Sequence, residues 1–276
     1  MSRIGGCFQT LGKRGRKALV PYITAGDPEP DVTVPLMHAL VTAGADLMEV
    51  GVPFSDPMAD GPVIQAACER ALAHHMTLHG VLELVTQFRR EDTDTPVVLM
   101  GYLNPIEVMG YEVFAEHAAK AGVDGVITVD LPPEEAADLV AALRRHEVDP
   151  IFLLAPTSTD ARIRKICEVA SGFLYYVSFK GVTGANRLDV SAVAEKLQQI
   201  RGHTDLPVGV GFGVRDPQTA AQVAAVADAV VVGSVLVKKM AELADAPDKI
   251  APEVAALLSE LRQAMDSGME KSVREG

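Results

Sequence analysis

The feature that most constrains this chain is a repeated alternation of two kinds of segment. Short apolar runs rich in β-branched residues occur eight times, each followed by a polar turn and a stretch rich in Ala and Leu. The runs are apolar almost throughout, which is typical of parallel strands covered on both faces. The predicted strands are Ala18–Thr24, Leu47–Val52, Val97–Tyr102, Val126–Asp130, Ile151–Ala155, Phe173–Phe179, Val208–Val214 and Ala229–Gly233.

The intervening segments repeat their apolar residues about every 3.6 positions, which predicts helices. These helices are Asp31–Ala43, Leu78–Arg90, Ile106–Ala121, Pro133–His146, Ala161–Ala170, Asp189–Ile200 and Pro217–Ala225. Asp31, Thr159 and Asp216 are predicted N-caps. Gly44 and Gly122 are predicted to end helices.

Eight strand–helix units predict an α/β fold, a single (β/α)8 TIM barrel in one domain that spans residues 1–276. The long gap between the second and third strands predicts an extra helix, Pro62–Ala73, and Ile4–Leu11 predicts a short helix that closes the barrel bottom. A doubly wound open sheet is the alternative. The number of strands and the absence of GxGxxG after the first strand favour the barrel.

The charge balance excludes several classes of partner. Twenty-five Lys and Arg residues face 37 Asp and Glu residues, so the formal net charge is −12. This balance predicts neither nucleic acid nor an anionic membrane as a partner. The basic residues at 13–17 are interpreted as a solvated segment before the first strand, with an acidic partner as the alternative.

The cysteines and the hydropathy pattern indicate a cellular location. Cys7, Cys68 and Cys167 are far apart and form no CxxC pair, which favours a reducing compartment. No signal peptide is apparent, and the most apolar region, 223–237, is interrupted by polar residues. We therefore expect a cytoplasmic protein without a membrane-spanning helix.

Glu49 is the first candidate for chemistry. It interrupts the apolar run LMEVGV, and functional residues of a (β/α)8 barrel lie at the carboxyl ends of strands. A buried carboxylate needs a partner or a raised pKa. The alternative to a catalytic role is therefore a structural Glu in an ion pair. Burial would raise its pKa into a range useful for proton transfer.

The loop after Glu49 offers two more carboxylates, Asp56 and Asp60. A second acid close to Glu49 would supply the pair that general acid–base catalysis uses. Alternatively, Asp60 caps the helix that begins at Pro62. Phe54 and Met58 are apolar residues on the same loop, which indicates that a substrate or a partner protein packs there.

Glycines follow three consecutive late strands, in the segments 181–184, 211–213 and 233–234. Glycine allows backbone N–H groups to approach phosphate oxygens, and a helix N-terminus favours the anion. Loops after strands seven and eight form the common phosphate site of these barrels. The pattern predicts a phosphorylated ligand.

Two other chemistries fit less well. The histidines lie in helical or connecting segments, and His74, His75 and His79 are interpreted as surface residues, so no metal site is predicted. Lys180 after the sixth strand could form a Schiff base with a carbonyl substrate. Its Gly- and Thr-rich surroundings would leave it hydrated, with little reason for a lowered pKa.

Several motifs resemble those of the tryptophan synthase alpha chain family. The main one is EVGVPFSDPMADGPVIQ at 49–65. The others, in family order, are PYITAGDP at 21–28, MGYLNP at 100–105, GVTG at 181–184, GFGV at 211–214 and ADAVVVGS at 227–234. Together they span nearly the whole chain.

The resemblance implies retro-aldol cleavage of indole-3-glycerol phosphate to indole and glyceraldehyde 3-phosphate, the activity of a carbon–carbon lyase in tryptophan biosynthesis. It implies Glu49 and Asp60 as the catalytic residues, without a metal or an organic cofactor in this chain. The family's phosphate contacts correspond to Gly184, Gly213, Gly233 and Ser234. Its indole pocket corresponds to Tyr22, Met100, Tyr102, Ile127, Tyr175 and Phe212. Thr183 corresponds to the residue that contacts Asp60 on loop closure. Phe179 and Lys180 stand where some relatives carry Arg, so a closing contact through that Arg is not carried over.

The resemblance also implies a partner, the pyridoxal-phosphate-dependent beta chain, in an assembly of two alpha and two beta chains. The implied interface residues are Pro53, Phe54, Asp56, Met58 and Asn104. Two alternatives stay open from the sequence. One is a Schiff-base aldolase that uses Lys180, and the other is a non-catalytic sensor or partner activator that has kept the pocket.

Overall fold

A computed structural model describes residues 2–178, 189–211 and 213–275 of the 276-residue chain. Within them, the strands are β1 (Ala18–Thr24), β2 (Met48–Gly51), β3 (Val97–Gly101), β4 (Gly125–Thr128), β5 (Asp149–Leu154), β6 (Leu174–Val177), β7 (Val208–Gly211) and β8 (Ala229–Val232). All neighbours pair in parallel, and β1 also pairs with β8, so the sheet closes into a barrel in chain order. The predicted TIM barrel is confirmed, and each strand lies within a few residues of its predicted bounds.

Helices surround this barrel. They are α1 (Arg3–Lys13), α2 (Pro30–Thr42), α3 (Pro62–Ala73), α4 (Leu78–Phe88), α5 (Leu103–Met109), α6 (Tyr111–Ala121), α7 (Ala137–Arg145), α8 (Asp160–Val169), α9 (Val190–Arg201), α10 (Pro217–Ala224), α11 (Ser234–Glu242) and α12 (Ile250–Glu275), with a 3₁₀ turn at Pro247–Lys249. In the part of the chain that the structure describes, no helix is long and apolar enough to cross a membrane.

Both predicted extra helices are confirmed. α3 occupies the gap between β2 and β3. α1 closes the bottom of the barrel: Ile4 is fully buried, and the ring of Phe8 lies 5.8 Å from that of Phe173, just before β6. The carboxyl ends of the strands therefore form the open end.

Several predicted boundaries are wrong. The single helix predicted over Ile106–Ala121 is two helices, because Gly110 has a φ of +88° that interrupts the helical path. α7 begins at Ala137 rather than Pro133, after a turn. α2 begins one residue earlier than predicted, at Pro30, so Glu29 is its N-cap and Asp31 lies inside its first turn.

The other predicted helix ends are confirmed. Thr159 caps α8 by accepting the Arg162 N–H, and Asp216 forms a capping box with Thr219 on α10. Gly122 ends α6 with a φ of +88°. Sequence reasoning gave no bounds for α11 and α12, although α12 buries a continuous apolar stripe against the barrel helices. That stripe comprises Ile250, Val254, Leu258, Leu261 and Met265.

Candidate active site

Glu49 lies on β2 in register with Tyr22 on β1 and Val98 on β3. Its residue is 1% exposed, and among the described residues neither carboxyl oxygen has a hydrogen-bond partner. Burial, followed by the negative charge of Asp60, raises its pKa from 4.5 to about 8. The expected rise in pKa is confirmed, and the interpretation of Glu49 as an ion-paired structural residue is wrong for the part of the chain described.

Asp60 lies on the loop between β2 and α3 and is partly buried. The Tyr102 hydroxyl donates a 2.8 Å hydrogen bond to its Oδ2 and accepts the Ala59 N–H at 3.0 Å. Burial raises the pKa of Asp60, and the Tyr102 hydrogen bond opposes that rise. Gly61 rather than Asp60 is the N-cap of α3, so the capping interpretation is wrong and the carboxylate is available for chemistry.

Two tyrosines inside the barrel share the electrostatic field of these acids. Burial is the main reason why the pKa values of Tyr22 and Tyr175 are raised, and the charges of Glu49 and Asp60 raise both further. The Tyr22 hydroxyl lies 3.2 Å from Thr24 Oγ1, a polar contact that the sequence did not indicate. The four ionisable side chains therefore face a common space.

Glycines provide room for these rings. A Cβ on Gly51 would lie 2.1 Å from the Tyr22 hydroxyl, and a Cβ on Gly211 would lie 2.1 Å from the Tyr175 hydroxyl. Such distances are far below van der Waals contact, so any side chain there would displace the tyrosine. Neither close approach could be read from the sequence.

The remaining predicted indole contacts divide between the barrel interior and its rim. Ile127 is buried in the interior cluster, and Met100 packs against that cluster and against the Tyr22 cluster. Tyr102 precedes α5 at the rim, where its ring stacks on Phe54 with centroids 5.2 Å apart. Phe212 lies outside the described residues.

The described phosphate candidates follow adjacent strands at the open end. Gly213 is exposed after β7 and has a φ of +86°. Gly233 is the N-cap of α11 and Ser234 is its first residue, and the N-cap glycine has no side chain to accept a capping hydrogen bond. Uncapped N–H groups at a helix N-terminus suit an anion. Thr183 and Gly184 lie outside the described residues, as does Lys180.

The predicted interface residues lie on one side of this opening. Met58 is 86% exposed, and Asp56 and Asn104 are also exposed. Phe54 is half-buried against Tyr102, whereas Pro53 is buried within the chain. Sequence reasoning missed Val108 on α5, which is 82% exposed. An apolar residue at a solvent-facing position of that short helix was the available signal.

One polar residue of the site was also missed. Gln65 on the first turn of α3 donates to the Asp60 carbonyl at 2.8 Å. The signal was its position one helical turn after Asp60, in the motif that carries the family resemblance.

The described residues contain no group of three or more His, Cys, Asp or Glu side chains that could hold a metal ion. His74, His75 and His79 are exposed, and His79 pairs with Glu83 rather than with another histidine. All three cysteines are free thiols.

Comparisons with known proteins agree on one family. The family profile described as tryptophan synthase alpha chain matches residues 8–266. The chain is 67% identical over 266 residues to the tryptophan synthase alpha chain of Thioalkalivibrio sulfidiphilus, covering 96% of this chain and 100% of the relative. It is 61% identical over 267 residues to that of Nitrosococcus oceani, covering 97% and 98%.

Solved structures give the same result. The tryptophan synthase alpha subunit of Legionella pneumophila superposes with a TM-score of 0.90 at 47% identity, covering 97% of this chain and 99% of that one. A chain of the aminoacrylate-bound form of tryptophan synthase from Mycobacterium tuberculosis superposes with a TM-score of 0.85 at 38% identity, covering 96% and 100%.

Proposed function

Because the chain belongs to the tryptophan synthase alpha chain family, we propose that Glu49 and Asp60 perform the acid–base chemistry of the family reaction inside this barrel. The chain is a lyase of tryptophan biosynthesis that cleaves indole-3-glycerol phosphate to indole and glyceraldehyde 3-phosphate. That activity sets aside the alternative of a non-catalytic sensor. The residue roles below are the proposal.

Glu49 moves the protons. Its pKa of about 8 keeps most of it protonated at neutral pH, so it can donate a proton to indole C3. Protonation at C3 makes the ring an electron sink. The carboxylate that remains takes the proton of the glycerol hydroxyl next to the ring. The carbon–carbon bond then breaks, its electron pair returns to the ring, an aldehyde forms, and Glu49 is protonated again.

Asp60 stabilises the charge that this protonation creates. Once C3 carries the proton, positive charge accumulates at the indole N–H, and a nearby carboxylate lowers the energy of that state. The Tyr102 hydrogen bond favours the ionised form of Asp60. The two acids thus have different tasks: Glu49 exchanges the proton, whereas at Asp60 the Tyr102 hydrogen bond opposes the protonation that burial favours.

Backbone groups at Gly213, Gly233 and Ser234 are proposed to hold the phosphate, together with Gly184. The N-terminus of α11, where a glycine is the N-cap, supports this role, since the chain carries a net charge of −12 and needs a local donor set for an anion. Tyr22, Met100, Ile127 and Tyr175 would pack around the indole ring, with Tyr102 and Phe212 at its edge and Thr183 contacting Asp60 on closure.

We also propose a tryptophan synthase beta chain as partner, in an assembly of two alpha and two beta chains. The exposed apolar side chains of Met58 and Val108 beside the open end support this, and Phe54, Asp56 and Asn104 would lie in the same contact. This chain needs no cofactor for the cleavage, and pyridoxal phosphate is expected on the beta chain. The closed barrel and the free thiols are consistent with a single cytoplasmic domain over residues 1–276.

The observation that carries the residue assignment is the fully buried carboxyl of Glu49, which lacks a partner among the described residues beside a second acid. The test is indole release from indole-3-glycerol phosphate, with and without a beta chain, by the parent and by Glu49→Gln and Asp60→Asn. The chain contains no Trp, so the protein adds no indole fluorescence of its own, and free indole is measured after extraction from the phosphorylated substrate.

Each variant should lose about a hundredfold or more in turnover while its circular dichroism stays that of the parent. Turnover within a few-fold of the parent in either folded variant would refute the role given to that residue. Borohydride trapping with substrate tests Lys180 separately, and no covalent adduct is expected.

A further inference from the structure

Gln65 connects α3 to the loop that carries Asp60. Its Nε2 donates to the Asp60 carbonyl at 2.8 Å and lies 3.4 Å from the Pro57 carbonyl. Both partners are acceptors, so the nitrogen of the side-chain amide rather than its oxygen must face them. A hydrogen-bond donor at this position is therefore built into the geometry.

Hydrogen bonds from two side chains hold Asp60 in place, one from Gln65 on α3 and one from Tyr102 at the start of α5. The Tyr102 hydroxyl holds the carboxylate at 2.8 Å and the preceding N–H, that of Ala59, at 3.0 Å. Gln65 holds the backbone carbonyl of Asp60 on the side of α3. The turn itself is closed by the Asp60 N–H, which donates to the Pro57 carbonyl at 3.0 Å.

α3 is a firm base for this contact. Arg70, further along the helix, donates two hydrogen bonds to Asp27, at 2.6 and 3.0 Å. Asp27 is fully buried in the segment after β1, and a two-point contact of this kind fixes orientation as well as distance. The Gln65 amide is therefore held in a fixed position relative to the barrel as well as to the loop.

We propose that Gln65 is a positioning residue that fixes the backbone of Asp60, so that its carboxylate meets both the Tyr102 hydroxyl and the reacting indole ring. The inference rests on the proposed role of Asp60. Gln65 touches no reacting atom and acts through the loop. Without this donor the backbone carbonyl of Asp60 is no longer held. The carboxylate can then move out of alignment with the positive charge that develops at the indole N–H.

The first test replaces Gln65 by Met, which has a similar shape but no donor. Asp60 acts on charge that develops in the transition state, so kcat for indole release should fall by about tenfold and KM should change less than about twofold. Gln87→Met makes the same chemical change at an exposed position on α4 and should match the parent. The full-length chain is assayed with excess beta chain.

The second test replaces Gln65 by Glu. Its carboxylate would face two carbonyl oxygens and repel them, whereas its protonated form again offers one O–H donor. The activity of this variant relative to the parent should therefore recover several-fold as pH falls from about 8 to about 6. Both proteins share the other ionisable groups around this loop, so the ratio of their activities removes the effect of those groups. They are Glu49, Asp60, Tyr102 and Cys68.

The outcomes separate this inference from the assignment of Asp60. If Asp60→Asn abolishes turnover while Gln65→Met equals Gln87→Met, the positioning role is wrong and Asp60 stands. A rise in KM at unchanged kcat would also overturn it, as would a Gln65→Glu ratio that does not change with pH. If Asp60→Asn keeps normal turnover, the proposed function itself fails. Should Gln65→Glu not fold, the split between kcat and KM in Gln65→Met decides.

Discussion

The carboxylates at the two ends of the barrel have opposite surroundings. At the amino ends of the strands, three aspartates each accept a backbone N–H from a neighbouring strand. The bonds run from Leu19 to Asp46 at 2.9 Å, from Val97 to Asp124 at 2.8 Å and from Val208 to Asp228 at 3.0 Å. Each also pairs with an arginine, Arg262 with Asp46, Arg89 with Asp124 and Arg201 with Asp228. Their charges are compensated by groups that also hold strands and helices together.

At the carboxyl ends, Glu49 is more deeply buried than these aspartates but has no hydrogen-bond partner among the described residues, and Asp60 has the Tyr102 hydroxyl. An uncompensated carboxyl destabilises the fold when ionised, and it remains ready to exchange a proton with a ligand. The comparison shows that one residue type serves stability at one end and reactivity at the other. The presence of a fixed cation and a backbone donor makes the difference.

The strongest test of this difference between the two ends is the pH dependence of the unfolding free energy of Glu49→Gln. The pKa of Glu49 rises from 4.5 to about 8 on folding, so the native state holds this proton more tightly than the unfolded chain. The parent therefore loses stability as pH rises from about 4.5 to about 8, by on the order of 5 kcal/mol, and the loss is constant above that range. The variant lacks this group and escapes the loss.

The measurement is the free energy of unfolding in urea for the parent and Glu49→Gln at pH values between 5 and 9. Titrations that both proteins share cancel in the difference between their unfolding free energies. This difference should grow with pH in favour of the variant, because only the parent has Glu49 to ionise. A difference that does not change with pH would mean that Glu49 ionises normally in the fold. Turnover should remain abolished throughout.

Asp124→Asn tests the opposite end. Asp124 is 5% exposed and pairs with Arg89 and Arg3, each at 2.8 Å, so its removal as an anion leaves the largely buried Arg89 with only the more distant Asp92 among the described carboxylates, at 3.8 Å. We expect a loss of about 3 kcal/mol in unfolding free energy, with normal turnover per folded molecule. Glu116→Gln is the matched control, because its pair with Lys120 is exposed to solvent and its loss should leave the unfolding free energy unchanged within error. A loss of turnover greater than the unfolded fraction would contradict the division between the two ends.

Two glycines extend the comparison from charge to packing. A Cβ on Gly51 would lie 2.1 Å from the Tyr22 hydroxyl at the open end, and a Cβ on Gly125 would lie 2.7 Å from Ile151 Cδ1 at the closed end. Gly51→Ala and Gly125→Ala should each cost about 2 kcal/mol in unfolding free energy. Only Gly51→Ala should also reduce turnover of the folded protein, since it displaces Tyr22 in the pocket. Equal turnover in the two variants would show that the pocket tolerates that shift.

The barrel and its polarity could be predicted because each strand is a local signal. Eight apolar runs, a long gap filled by α3 and a charged residue inside the apolar run around Glu49 are all visible in the order of the residues. The misplaced boundaries depend on single backbone angles. Gly110 adopts a φ of +88° and divides α5 from α6, whereas the apolar period continues across it.

The contacts that shape the site could not be predicted, since they join residues from different elements through irregular loops. Gln65 reaches a backbone carbonyl, which no pattern of side chains marks. The space above Gly51 is filled by a tyrosine from another strand, so its size depends on the register of β1 against β2. The family motif indicated which residues matter, but the partners that hold them follow from the fold.

The smallest expected effect concerns an aspartate at the open end that is not part of the chemistry. Asp216 accepts the Thr219 N–H at 2.8 Å in the capping box of α10, and this bond is the main cause that lowers its pKa. Asp216→Ala should cost about 1 kcal/mol in unfolding free energy, whereas Asp216→Asn, which keeps an accepting oxygen, should cost a few tenths. Both losses are measured by urea unfolding at pH 7, with kcat expected within about twofold of the parent because the side chain faces its own helix rather than the pocket. The advantage of the parent over Asp216→Ala should shrink as the pH falls below 3.8, because protonation removes the charge that this lowered pKa favours. A large loss of turnover in Asp216→Asn would mean that this carboxylate takes part in the reaction, as Glu49 and Asp60 do. The function of an acid in this barrel would then depend on which end of the barrel it occupies more than on its hydrogen-bond and charge partners.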